Sequence, residues 1–538
     1  MMRAWLSIPF SLFICVFTLS TAEATFPEKT IAHWGLSVSK EVQDPDYEKV
    51  HDLAGKKEFA AALEIIDKKI AQFPRESTPL ILKGFLLNEM GDYGRALDFL
   101  MEGSRIEQRH PAVHFGFCQA YRNLGVIELS QRGCQIAVDQ HQNIPEARYE
   151  YAQTLAIQGK MEEAVRELKA AADLEPNNPQ YLVELGLNSY YLNRVEDAET
   201  YFLKALSTDP ENLDAAYEMA YINAAKGKTE AAKKYIYQIL ETRREHPKVN
   251  SAKLLLDSID NNTAEKLPEK IIPHEYHLSR SKSFYQSGHY GLSLIEIQTA
   301  AALKPDDLKL QEILIGMASI LFRLDAGEKA VNQLIELAGN NEPLKAKGYQ
   351  ELGDIRVIQG KLAEARQFYE KAKSFGDPGN LSQITLAQFP EDSASNPSLQ
   401  NPQELFIKPT DALNRKGEIF AHYKMYDRAI ALYSMVIRMD PNHLESMLNS
   451  AAAYYNNGKY GRAISILERI FVSHPNHENI LAHRFLLAQA YAKNGDGAAA
   501  LKNIQIVVKL DSTTKSRIAS DAAFEGLKDN DTFKNLTQ

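Results

Sequence analysis

The sequence predicts an all-α solenoid, a stack of helical hairpins without a sheet. Three observations predict it: a fixed period, a left-handed turn residue once per period, and apolar-periodic stretches on both sides of that turn. Gly91, Gly125, Gly159, Asn193 and Gly227 stand 34 residues apart, and all are residue types that end helices in the left-handed conformation. The same step relates the mostly small residues Gly84, Cys118, Ala152, Gly186 and Ala220, and again Ala96, Ser130, Ala164, Ala198 and Ala232. A fourth register, Leu100, Cys134, Leu168, Phe202 and Ile236, is apolar apart from its cysteine. Small residues let two helix backbones approach while large ones fill the space beside them. One hairpin cannot bury both of its faces, so neighbours must stack.

Taken in chain order, residues 1–24 read as an export signal. Arg3 supplies the positive start, Leu6 to Leu19 a short apolar run, and Ala22 and Ala24 the small residues of a cleavage site. Residues 25–42 form an N-terminal lead-in whose pattern is not periodic. Residues 43–246 hold an array of six repeats starting at Gln43, Ser77, Pro111, Pro145, Pro179 and Leu213. Residues 247–273 read as a lone helix and linker, with Leu267-Pro268 and Ile272-Pro273 as breakers. The period resumes over 274–379 as an array of three, marked by Gly288, Tyr290, Ala318, Ala330, Gly353, Ala365 and Tyr369. Residues 380–409 turn to Pro, Asn, Ser and Gln and predict a flexible linker. Residues 410–514 give a further three repeats, and 515–538 a capping helix with one apolar face.

Small residues in mid-helix, Gly at the turn, Ala then an aromatic in the second helix and Pro at the end resemble the tetratricopeptide repeat. The resemblance implies a right-handed superhelix in about three arrays. It also implies that the first helix of each hairpin lines a concave groove for peptides or other proteins. Projected residue by residue, that groove face holds Phe85, Phe115, Gln119, Arg122, Tyr149, Gln153, Tyr190, Tyr217 and Tyr221, with Asn449, Tyr455 and Gln489 in the last array. Asn449 matches one position of the carboxylate clamp some members carry, but its companions are absent at the expected spacing.

Charge and motif narrow the function. Lys+Arg number 61 against Asp+Glu 70, interspersed, so the chain lacks the basic excess a nucleic acid demands. No second apolar stretch long enough to span a bilayer follows the leader. Gly227-Lys228-Thr229 lacks the first glycine and the strand of a phosphate loop, and Gly495-Asp496-Gly497 lies between helices of one repeat; both read as turns. His274 with His277 is one residue short of a metalloprotease pair, and no Gly-x-Ser-x-Gly elbow occurs. No enzyme, no cofactor and no metal are expected. The expected function is an exported scaffold, periplasmic or secreted, serving polysaccharide export, pilus biogenesis or outer-membrane assembly through protein partners. Alternatives are a metal-dependent role for the His474, His477 and His483 edge, and a glycan bound in the aromatic groove. Cys118 and Cys134 fall mid-helix on the two arms of one hairpin, which fits either two buried thiols or one disulfide.

Overall fold

A computed structural model describes residues 45–107, 110–241, 246–264, 271–376, 381–389 and 408–538. The signal peptide, the lead-in, Gln43 and most of the 380–409 linker lie outside the described residues. The described residues are all-α, and they divide into two compact units at Leu310/Gln311.

Unit 1 opens with six successive hairpins: α1 (Pro45–Gly55) with α2 (Phe59–Gln72), α3 (Ser77–Glu89) with α4 (Tyr93–Ile106), and α5 (Pro111–Asn123) with α6 (Ile127–Gln140). They continue as α7 (Pro145–Ile157) with α8 (Met161–Leu174), α9 (Pro179–Tyr191) with α10 (Val195–Thr208), and α11 (Leu213–Ala225) with α12 (Thr229–Glu241). The single helix α13 (Pro247–Asp260) packs on the last hairpin, and α14 (Pro273–Gln286) pairs with α15 (Tyr290–Leu303). Helix α16 (Leu308–Ile320) carries the division.

Unit 2 continues with α17 (Leu324–Leu337), α18 (Glu342–Ile358), α19 (Leu362–Ser374) and the short α20 (Leu381–Ala387). Then follow α21 (Pro409–His422), α22 (Tyr426–Met439), α23 (Leu444–Asn456), α24 (Tyr460–Ser473), α25 (Ile480–Lys493) and α26 (Gly497–Leu510). The expected single capping helix is instead α27 (Lys515–Ser520), a 3-10 stretch Ala522–Leu527 and α28 (Asp531–Thr537). Asp521 and Asn530 cause the breaks, because their side chains accept from the backbone amides of Ala523 and of Thr532 and Phe533 and so start new helical turns. Phe524 and Phe533 still close the core over Phe485 and Val507.

The hairpin α9–α10 shows why each unit forms. Asn178 accepts from the amide of Gln180, and Pro179 opens the helix where its missing N–H costs nothing. At the other end Asn193 takes φ 61°, and Arg194 N bonds Ser189 O at 2.9 Å, so the last carbonyls are satisfied as the chain reverses. Gly91, Gly125, Gly159 and Gly227 hold the same left-handed position in their hairpins. Across the hairpin a Cβ on Gly186 would overlap the ring of Phe202, and Gly353 with Tyr369 and Gly417 with Tyr433 repeat that relation. The glycine makes room for a fully buried ring, each worth roughly 1.5–3 kcal/mol of apolar burial.

Candidate partner-binding surfaces

In unit 1 the residues expected on an open groove are used for packing between repeats. Phe85, Phe115, Gln119, Tyr149, Tyr190, Tyr217 and Tyr221 are buried, and Arg122 and Gln153 are half-buried. Phe85 and Phe115 lie with ring centroids 5.7 Å apart, and Tyr149 and Tyr181 5.3 Å apart. The Tyr149 hydroxyl accepts from Gln180 Nε2 at 2.8 Å. The Tyr217 ring carries Lys248 Nζ 4.4 Å from its centroid. Successive first helices thus read one another through their aromatic and amide side chains.

A run of carboxylates, which the repeat pattern does not single out, threads the same face. Glu150 on α7 takes Gln119 Nε2 at 3.0 Å and Arg122 at 2.5 Å, both from α5. Glu89 at the end of α3 is pushed up to about 8 by its burial and by the Glu150 charge. Burial also raises Glu184 on α9, against the lowering influence of Gln153 and Arg280. Glu218 on α11 and Lys248 on α13 form an ion pair at 2.9 Å with both side chains 1% exposed. Burial raises the Glu218 carboxyl, and the lysine opposes it.

The hairpin α14–α15, expected to open the second array, packs within unit 1 against helices laid down more than a hundred residues earlier. It meets three successive repeats at their turns. A Cβ on Gly291 would overlap the carbonyl oxygen of Asn123, and one on Gly125 would stand 2.9 Å from the Gly291 oxygen. Thr299 Oγ1 donates to the Ile157 carbonyl at 2.8 Å. The Tyr191 hydroxyl lies 3.2 Å from His277 Nε2, and its ring lies edge-on to those of Tyr276 and His277. Glu296, fully buried, holds the hairpin itself together through His277 Nδ1 at 2.5 Å and through Arg280. A sequence signal for this docking is the all-round apolar character of α15, with Leu292, Leu294, Ile295, Ile297, Ala300, Ala301 and Ala302, which leaves it no open face.

Cys118 and Cys134 are joined as a disulfide, with Cα atoms 5.0 Å apart, across α5 and α6. Both are buried beside Thr154 of the next repeat.

In unit 2 Asn449, Tyr455 and Gln489 are all half-buried on α23 and α25. Asn449 Nδ2 donates to Asn414 at 3.3 Å and Glu418 at 3.2 Å, and Gln489 Nε2 donates to Asp521 at 2.8 Å. Tyr455 leans on Tyr460 with centroids 5.5 Å apart. Elsewhere in the unit, Asp354 on α18 is a buried hub that accepts from the Tyr369 hydroxyl at 2.7 Å and pairs with Arg428 and with Lys416 at 3.5 Å.

The histidine edge is a hydrogen-bonded chain. His477 Nδ1 donates to the His474 carbonyl at 2.7 Å, so a neutral His477 accepts at Nε2 from His483 Nδ1, 3.0 Å away. The His474 ring turns instead to Ser473 Oγ at 2.8 Å. Among the described residues no group of three or more His, Cys, Asp or Glu side chains is placed to hold a metal ion. Gly227 and Gly495 are left-handed turn residues between helices. No described helix is long and apolar enough to cross a membrane.

Comparison with known proteins agrees with this geometry. The tetratricopeptide repeat family matches residues 119–179 and 183–248, and a second tetratricopeptide repeat family matches 346–375. Residues 422–505 match the family of anaphase-promoting complex, cyclosome, subunit 3. A curated relative, the protein O-mannosyl-transferase TMTC1 of Mus musculus, is 30% identical over 132 residues, which is 23% of this chain and 14% of that protein. The chain therefore spans only a small part of that relative's length. Among solved structures, YrrB, a TPR protein with an unusual peptide-binding site, is 18% identical, covering 35% of this chain and 97% of that one with a TM-score of 0.30. Pseudomonas aeruginosa pilF is 17% identical, covering 44% and 96% with a TM-score of 0.29. The hairpins, their period and these family matches together show tetratricopeptide-repeat domains within the chain, matched over 119–179, 183–248 and 346–375.

Proposed function

We infer that the protein is a non-catalytic interaction scaffold whose partner-accepting face lies on α23 and α25 of unit 2. The observation that carries this reading is the contrast between the two units. The aromatic positions of the first array are spent on packing, whereas Asn449, Tyr455 and Gln489 all keep exposed surface beside one another's repeats. Tyr and amide side chains at such positions combine contact area with hydrogen bonding, which suits a protein or peptide partner.

The scaffold works outside the cytoplasm, in a cell-envelope assembly. The leader-like residues 1–24 support that placement, and so does the pairing of Cys118 with Cys134, because disulfides persist in oxidising compartments. The test is affinity capture on the exported full-length chain, with a triple variant N449A/Y455A/Q489A beside the double variant Y149F/Y217F. A partner identified with the wild type should be lost at least tenfold on the triple variant and retained on the double one. Equal capture by all three proteins would overturn the assignment of the face.

A further inference from the structure

Residues 381–389 lie within the stretch expected to be a linker, yet they form α20 and dock on unit 2. A helix of seven residues has no stability of its own in water, so its order comes from what it touches. Ser382 and Thr385 of the helix are buried, and two side chains just past its end add specific contacts. Gln388 Nε2 donates to Asp427 Oδ2 at 3.0 Å and to Asn457 Oδ1 at 3.2 Å, while Gln388 Oε1 accepts from the Asp427 backbone amide at 3.1 Å. That amide is one of the unpaired N–H groups in the first turn of α22, so Gln388 caps a helix of a neighbouring repeat. Phe389 sets its ring edge-on to Tyr369, with centroids 6.2 Å apart, and under the Arg366 guanidinium at 5.9 Å.

The receiving groups are pre-set by the repeats. Asp427 Oδ1 already takes Asn457 Nδ2 at 2.9 Å and Lys459 Nζ at 2.7 Å, which leaves Oδ2 as the acceptor for an incoming donor. The site therefore asks for one donor and one acceptor on the same planar group. A carboxylate lacks the donor and an ammonium lacks the acceptor. A primary amide has both, and the adjoining aromatic ring asks for an aromatic next to it.

We propose that this surface is a docking site for peptides that present a glutamine followed by an aromatic residue, and that residues 381–389 are its resident occupant. A partner carrying that pair exchanges with the resident segment, which tethering keeps at high effective concentration. The site reaches the end of α23 at Asn457 but uses none of Asn449, Tyr455 and Gln489, so the peptide assay here and the capture assay on that face read different side chains.

The experiment uses the full-length chain carrying Q388A/F389A, which vacates the glutamine and aromatic positions, and a fluorescent synthetic peptide copying residues 381–389. Anisotropy should show saturable binding to the vacated chain and at least tenfold weaker binding to the wild type. The same peptide with Glu in place of Gln388 should not bind, since Asp427 then faces a second carboxylate. Circular dichroism of the vacated chain checks that its repeats remain helical. Absence of binding to a folded vacated chain would overturn the proposal, and so would equal binding of the Gln and Glu peptides.

Discussion

Gly291 of α15 and Gly125 of the α5–α6 turn meet backbone to backbone, at a contact with no room for a side chain on either partner. This contact joins segments 166 positions apart (291 minus 125) within unit 1. An ideal solenoid couples only neighbouring repeats. Here the docked hairpin couples the third, fourth and fifth repeats directly, through Gly291, Thr299 and the Tyr191–His277 contact.

Replacing Gly291 with Ala should therefore release the hairpin from the array. The expected cost is about 1–3 kcal/mol, the range for forcing atoms into a packed site. Denaturant unfolding should show a lower midpoint, and hydrogen exchange should rise in 273–303 and around Asn123 to Gly125. Gly288 supplies the control. It has φ 83° and open space around its Cβ position, so Gly288→Ala pays only left-handed strain of about 1–2 kcal/mol and leaves exchange around Asn123 unchanged.

Much of this architecture was legible in the sequence. The first helices of the hairpins begin at Ser77, Pro111, Pro145, Pro179 and Leu213, where the period places them, because proline and the turn residues act locally. Docking was not legible from the period. The hairpin around Gly288 and Tyr290 carries the same small and apolar spacing as any other repeat, and spacing within a hairpin does not say which neighbour it meets. The groove positions carry a related ambiguity: Tyr149 and Tyr217 sit at them, and Gln180 of the following repeat and Lys248 of α13 pack on the Tyr149 hydroxyl and the Tyr217 ring. In the linker, polar composition concealed a helix whose order comes from burial of Ser382 and Thr385 and from the contacts of Gln388 and Phe389.

The Lys248–Glu218 pair should behave as a buried pair does. Lys248→Met strands a carboxylate that burial already disfavours, and the expected loss is about 3–5 kcal/mol. The double variant K248M/E218L removes both charges and should recover most of that loss in thermal unfolding. Failure to recover would mean that the lysine's contact with the Tyr217 ring matters more than its charge.

Acidity acts on Glu89 and His483 with opposite sign. Glu89, pushed up to about 8, keeps its proton in the folded chain where an unfolded carboxyl near 4.5 has lost it. Its contribution is thus present at low pH and is lost as pH rises from about 4.5 to 8. Glu89→Gln should gain stability over the wild type progressively across that window and match it near pH 4. His483 is held below its ordinary 6.5 by burial and by His477, so its contribution is present above 6.5 and is lost as pH falls below it. Urea midpoints of the wild type and of Glu89→Gln between pH 4 and 8 check the first sign, and NMR titration of His483 checks the second.

Cleavage of the Cys118–Cys134 bond should destabilise unit 1 by about 3 kcal/mol, the value for a loop of roughly this length. Mass analysis after alkylation without reductant should find neither cysteine modified. Two alkylated thiols there would rule the bridge out, and with it one support for the proposed oxidising compartment.

The central claim, that unit 2 offers a partner face while the equivalent aromatics of unit 1 are consumed by packing, is tested most directly by photo-crosslinking in the cell. A photoreactive residue placed at Tyr455 should capture a defined partner protein, and one placed at Tyr217 should react only within the chain. Capture of that protein from Tyr217 and not from Tyr455 would contradict the account.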